Sequence, residues 1–133
     1  MPVGTYQEEL SCGGTLKVHK NSWEISYYFA GVDLRYNGTF VSIPGSSIND
    51  YILAFKENWE DYEQLKSAIP SGGEFTKDGK LGMSIRIGRF KEGVCLRSYH
   101  MPISSKKQLE SIIKTYKYAS ERAPQIQKFL AAL

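Results

Sequence analysis

Between Trp23 and Phe29 the large apolar residues Trp23, Ile25, Tyr27 and Phe29 alternate with Glu24, Ser26 and Tyr28. A period of two built from aromatic and β-branched residues requires a strand with one buried face. After Pro44-Gly45 the period changes. Ile48, Tyr51, Ile52, Phe55, Trp59, Tyr62, Leu65 and Ile69 recur three or four apart, the spacing of one helical stripe. Ser47 with Asp50 three positions on fits a helix start, and Pro70-Ser71-Gly72-Gly73 ends it. Strands that bury one face, followed by a helix that buries one stripe, fold as α+β: antiparallel sheet with helices on one face.

The strands around this helix follow from turn chemistry. Asn37-Gly38 favours a two-residue hairpin turn, so Thr39–Ile43 is expected to pair back on a strand at Val32–Tyr36. The second half repeats the pattern. Glu74–Thr76 and Lys80–Arg89 flank Asp78-Gly79, Lys91-Glu92-Gly93 makes the next turn, and Val94–Met101 returns as a strand. Three strands thus precede each helix. The second helix starts at Ser105, capped with Gln108 and carrying Leu109, Ile112, Ile113 and Tyr116, and Ala123-Pro124 is expected to kink it or split off a last helix. At an offset of 58 residues Pro44 falls on Pro102, Ser46-Ser47 on Ser104-Ser105, and Ile25 and Tyr27 on Met83 and Ile85. The 133 residues therefore read as a single domain, 1–133, with a pseudo-duplicated strands-then-helix unit in halves 15–70 and 74–133. Two unrelated strand-to-helix segments with similar caps would also look alike.

Charge divides these halves. Residues 1–70 hold five Lys/Arg against nine Asp/Glu, and residues 71–133 hold twelve against five. Such asymmetry points to an anionic partner for the basic part, or to attraction between the halves or between copies. Cys12 and Cys95 are too far apart to form a ligand pair, and as free thiols they favour a reducing, cytoplasmic location. No signal-peptide core and no membrane-spanning apolar run is present.

Strand parity places the cations. In Met83–Ile87 the apolar residues share one face, leaving Arg86 on the other, and in Val94–Tyr99 Arg97 and Tyr99 point away from Val94 and Leu96. As hairpin partners these strands set Arg86, Arg97 and Tyr99 on one exposed face with Arg89 and Lys91 at its turn, and the first half adds Tyr28 and Arg35 to that surface. Guanidinium groups beside exposed rings suit single-stranded DNA or RNA, because cations meet phosphates and bases stack on aromatics. They equally suit a protein partner.

The run from Ser84 to Tyr99, followed by a helix from Ser105, resembles the strand-turn-strand-helix unit of positive-cofactor-type single-stranded-DNA-binding coactivators. The doubling is similar to that of the Whirly proteins. The resemblance implies that Arg86, Arg89, Lys91, Arg97 and Tyr99 hold single strands on the sheet's basic surface.

Catalytic chemistry has little support. His19 and His100 lack metal-ligand spacing, Gly13-Gly14 and Gly72-Gly73 lack the ending of a phosphate loop, and His100 falls on the strand parity opposite to Cys95. A non-enzymatic binding protein without cofactor is expected. The alternative to nucleic acid is a protein-binding module, such as an inhibitor, immunity protein or secretion chaperone, that docks through the acidic helix face Glu57, Glu60, Asp61 and Glu63. The stripe Ile126, Phe129, Leu130 and Leu133 either closes a homodimer or packs back on the sheet.

Overall fold

The computed structural model describes residues 4–31 and 38–133. Four strands, β1 (Tyr6–Glu9), β2 (Thr15–Val18), β3 (Trp23–Phe29) and β4 (Thr39–Pro44), form an antiparallel meander in chain order. A 3-10 turn at Gly45–Ser47 leads into helix α1 (Ile48–Ala68). Strands β5 (Phe75–Asp78), β6 (Ser84–Ile87), β7 (Gly93–Arg97) and β8 (His100–Ile103) form a second meander, and helix α2 (Lys106–Ala131) closes the chain. The fold is α+β, with four strands before each helix among the described residues rather than three.

Two compact units result, and each takes the helix that adjoins the other sheet in the chain. One comprises Met1–Ile48 with Ile113–Leu133, so the first sheet packs with most of α2. The other is the continuous segment Asn49–Ile112, in which the second sheet packs with α1.

In the first unit, Leu16, Val18, Ile25, Tyr27, Val41 and Ile43 face inward against Tyr116, Ala119, Ala123, Ile126 and Leu130 of α2. Burying such side chains supplies most of the drive, at about 1.5–3 kcal/mol each. Two polar ties fix the helix: the hydroxyls of Tyr27 and Tyr116 are 2.7 Å apart and those of Ser11 and Thr115 3.0 Å apart. A third lies on edge strand β1, where Glu8 accepts hydrogen bonds from Tyr118 and Tyr6 and from Arg122 Nε at 3.3 Å. These donors hold the Glu8 carboxyl below its ordinary range, Tyr118 contributing most.

Three expectations bear on this unit. Thr39–Pro44 pairs with Trp23–Phe29, Thr39 opposite Phe29 and Ile43 opposite Ile25, while the expected partner Val32–Tyr36 lies outside the described residues. Pro124 lies inside an unbroken α2. It sits on the exposed side of the helix, where water can meet the carbonyl its missing N–H leaves free, while Ala123 and Ile126 stay buried. In the C-terminal stripe Ile126 and Leu130 are buried, whereas Phe129 and Leu133 are exposed.

In the second unit, Ile52, Phe55, Trp59 and Tyr62 of α1 pack with Met83, Ile85, Ile87, Val94, Leu96 and Ile103. Buried Asn58 gives this core its polar tie. It accepts from Lys80 N at 2.9 Å and donates to Lys80 O and to Met83 Sδ, each at 3.2 Å. Glu57 pairs with Lys80 and Asp61 with Lys77 at 3.4 Å, so two carboxylates of the acidic helix face bind α1 to its own sheet. Helix α2 opens as expected, with Gln108 N donating to Ser105 Oγ at 3.2 Å, while the Gln108 side chain reaches back to Ser104 N at 2.8 Å.

The expected long strands of this half are shorter. Lys80–Gly82 is a 3-10 turn, with Leu81 at φ 53°, so β6 begins only at Ser84. Val94–Met101 is two strands, because Ser98 at φ 52° reverses the chain and Arg97 pairs with His100. The duplication is also offset differently. Tyr6 and Phe75, which open β1 and β5, lie 69 residues apart, whereas Ile48 and Lys106, which open the helices, lie 58 apart. The longer connection between β3 and β4 absorbs most of the difference, so Ile25 and Tyr27 of a third strand do not correspond to Met83, just before a second strand, and Ile85 within it.

Candidate nucleic-acid interface

Residues opposite each other in an antiparallel pair point to the same face, so register assigns the surface. Arg86 lies opposite Gly93 and Thr76, Ser84 opposite Cys95, and Arg97 opposite His100. Arg86 and Arg97 therefore share the face that α1 does not cover, while Ile85, Val94 and Leu96 occupy the other. Both turns curl over this face. Arg86 Nε donates to Phe90 O at 3.2 Å, Cys95 Sγ to Lys91 O at 3.4 Å, and Ser84 Oγ to Ser98 O. Ser84 and Cys95 in its middle are buried, and the cations stand at its rim.

One end of the face is the turn between β6 and β7. Arg89, Phe90 and Lys91 are exposed there, Phe90 at 76%, with Lys91 Nζ 5.1 Å from the Phe90 ring centre. Arg89 is paired with Glu74 at 3.3 Å, a mutually exposed contact that offsets its charge only in part. The other end holds Arg97 and the turn before β8. Tyr99 sits in that turn, not on the strand as expected, with its ring 4.3 Å from that of His100. Gly93 and Arg97 lie four positions apart on β7, about 13 Å of strand.

Charge is segregated across this sheet. On the side that α1 covers, Lys77 and Lys80 are paired with helix carboxylates. Among the described residues, no carboxylate forms an ion pair with Arg86, Lys91 or Arg97.

Tyr28 belongs to the first sheet, so it does not share a sheet with Arg86, and Arg35 lies outside the described residues. Tyr28 is 58% exposed and lies opposite Phe40, 74% exposed, with ring centres 4.7 Å apart. Gly38 passes so close to this pair that a Cβ there would overlap the Tyr28 ring. Register places Lys17, Glu24, Ser26 and Ser42 on the same face, which is thus aromatic and polar rather than basic.

Phe90 and Phe40 are surface residues that strand parity alone did not single out. The available signal for Phe90 was an aromatic between two cations in a turn, a place where apolar residues rarely serve the core.

Burial pushes the Cys95 thiol up, more than Arg86 and Lys91 draw it down, so it is a poor nucleophile. His100 shares the face of Cys95, contrary to the single-strand reading, because the Ser98 turn resets the parity. Among the described residues no group of three or more His, Cys, Asp or Glu could hold a metal, and no helix is long and apolar enough to cross a membrane. Comparison with protein-family models, curated proteins and solved structures finds no match.

Proposed function

We propose that this protein is a non-enzymatic binder of single-stranded nucleic acid. Arg86, Lys91 and Arg97 contact phosphates, Arg89 reinforces them, and Phe90 and Tyr99 offer rings for bases at the two ends of the face. The observation that carries the reading is the segregation of charge: Lys77 and Lys80 on the helix-covered side are paired with carboxylates, whereas among the described residues Arg86, Lys91 and Arg97 on the opposite side form no ion pair and only Arg89 there meets a carboxylate, Glu74. Unpaired guanidinium and ammonium groups at a sheet rim gain by releasing counterions from a phosphate chain, and the exposed Phe90 ring and the half-buried Tyr99 ring accept any base. Tyr28 and Phe40 supply a second stacking platform on the first sheet. Free Cys12 and Cys95 fit a reducing cytoplasm.

Fluorescence polarisation with labelled single-stranded and duplex DNA and RNA, at ~50 to 200 mM salt, tests this. Three phosphate contacts give a log–log salt slope near −2, about a twentyfold loss of affinity over that range, with single strands preferred. Absence of binding at the lowest salt overturns the reading and turns the search to a protein target.

A further inference from the structure

Beside the β6–β7 turn lies an open cavity of about 290 Å³, lined by Lys66 and Ile69 of α1 and its C-terminal extension, by Gly72 and Gly73, and by Gly88 and Glu92. All of these residues belong to the second unit. Within the cavity the Glu92 carboxylate is held at both oxygens: Gly88 N–H donates to Oε1 at 3.0 Å and Lys66 Nζ to Oε2 at 3.0 Å. The Tyr62 hydroxyl accepts from Lys66 Nζ at 3.3 Å and so anchors the ammonium from behind. A backbone N–H and an ammonium converging on two oxygens of one anion is the donor arrangement that also receives a phosphate.

We propose that Glu92 is a built-in occupant of a phosphate site, and that a phosphate group of the ligand replaces its carboxylate on Gly88 N–H and Lys66. The inference rests on the nucleic-acid reading for its natural ligand and adds a contact point and a restraint to it.

Three features support the exchange. The pair is half open to water, with side-chain exposures of 53% for Lys66 and 29% for Glu92, so breaking it costs little. The cavity beside it gives the incoming group room without moving the core, since Gly72 and Gly73 bring no side chain. And the site adjoins Arg89 and Lys91 on the same turn, so a chain of phosphates that meets those cations arrives at Glu92. Exchange of one anion for another keeps Lys66 paired while the displaced Glu92 carboxylate, already partly exposed, turns to water, whereas a neutral ligand would strand Lys66.

The test compares Glu92→Gln with Glu63→Gln, which removes an exposed carboxylate of the same unit that lines no part of this cavity. Two readouts separate the sources of phosphate. In the first, inorganic phosphate is titrated into each full-length variant while the Gly88 amide is followed by NMR. Glu92→Gln is expected to show a saturable Gly88 shift at lower phosphate than Glu63→Gln, where the carboxylate still competes, and Lys66→Met in the Glu92→Gln background is expected to abolish it. In the second, oligonucleotide affinity of Glu92→Gln is expected to rise on the order of threefold to tenfold at low salt, with about one further phosphate in the salt slope. A Gly88 shift without any oligonucleotide binding would retain the phosphate site and retire the nucleic-acid reading. No Gly88 shift, or equal gains from Glu92→Gln and Glu63→Gln, would overturn the proposal and leave Glu92 as a clamp on its own turn.

Discussion

The two units use the same frame, a four-stranded antiparallel meander with a helix across one face, and finish its other face in opposite ways. In the first unit that face carries the Tyr28–Phe40 pair among Ser26, Ser42, Lys17 and Glu24. In the second it carries Arg86 and Arg97, with Lys91 and Phe90 at one turn and Tyr99 at the other. The interiors differ too. A tyrosine pair and the Glu8 cluster tie α2 to the first sheet, whereas Asn58 and two ion pairs tie α1 to the second. The backbone arrangement therefore leaves the chemistry of the open face free, and affinity for an anionic chain is expected to follow the face rather than the fold.

Substitutions test this contrast. The largest effect on stability is expected from Phe55→Ala, which empties a fully buried site in the second unit and costs about 3–5 kcal/mol. Hydrogen exchange should show protection lost in β5–β8 before β1–β4, and simultaneous loss would mean that the units do not open separately. Combined Arg86→Ala, Lys91→Ala and Arg97→Ala should weaken oligonucleotide binding on the order of a hundredfold and flatten its salt slope, with the melting temperature unchanged. Tyr28→Ala with Phe40→Ala should cost about 1–3 kcal/mol of affinity per stacked base while leaving that slope intact. Equal slopes for the two sets would erase the division between a charged and an aromatic face. Tyr116→Phe should cost about 1–2 kcal/mol, because the buried Tyr27 hydroxyl loses its 2.7 Å partner, and chemical denaturation would detect it.

The smallest effect concerns acid. The Glu8 carboxyl is held low chiefly by the Tyr118 and Tyr6 hydroxyls, and that of Glu92 chiefly by Gly88 N–H and then Lys66. A depressed carboxyl contributes stability above its ordinary value of 4.5 and loses it as pH falls through the lower folded value. Below about pH 4.5 both clamps should weaken, Glu8→Gln removing the acid dependence only in the first unit and Glu92→Gln only in the second. Amide exchange measured between pH 3 and pH 6 separates them, and an unchanged profile in either variant would remove that carboxylate from the account.

How much of this was written in the chain depends on length of signal. Helix α1 was legible because the stripe from Ile48 to Ile69 is long, and α2 because Ser105 and Gln108 cap it. Strands β1 and β2 were not, since four residues hold too few alternations and Glu8 faces the helix only because Tyr118 and Arg122 receive it. The turn at Ser98 was hidden because a non-glycine residue takes a positive φ there, so Val94–Met101 read as one strand. Parity placed Arg86 and Arg97 on one face, but it cannot show which carboxylates reach which cations. Nor does an apolar stripe name the sheet it will cover, which is why the exchange of helices between the two sheets left no trace in the pattern.

That exchange sets an order on synthesis. The unit formed by Asn49–Ile112 is continuous and nested inside the other, so it has all of its parts as soon as the ribosome has delivered residue 112. The first sheet, although translated earlier, must wait for residues 113–133 to receive the helix that buries Leu16, Ile25 and Tyr27. The segment made first is thus the last to be sealed, and during that interval its apolar face is the part of the nascent chain most exposed to misassociation or to a chaperone.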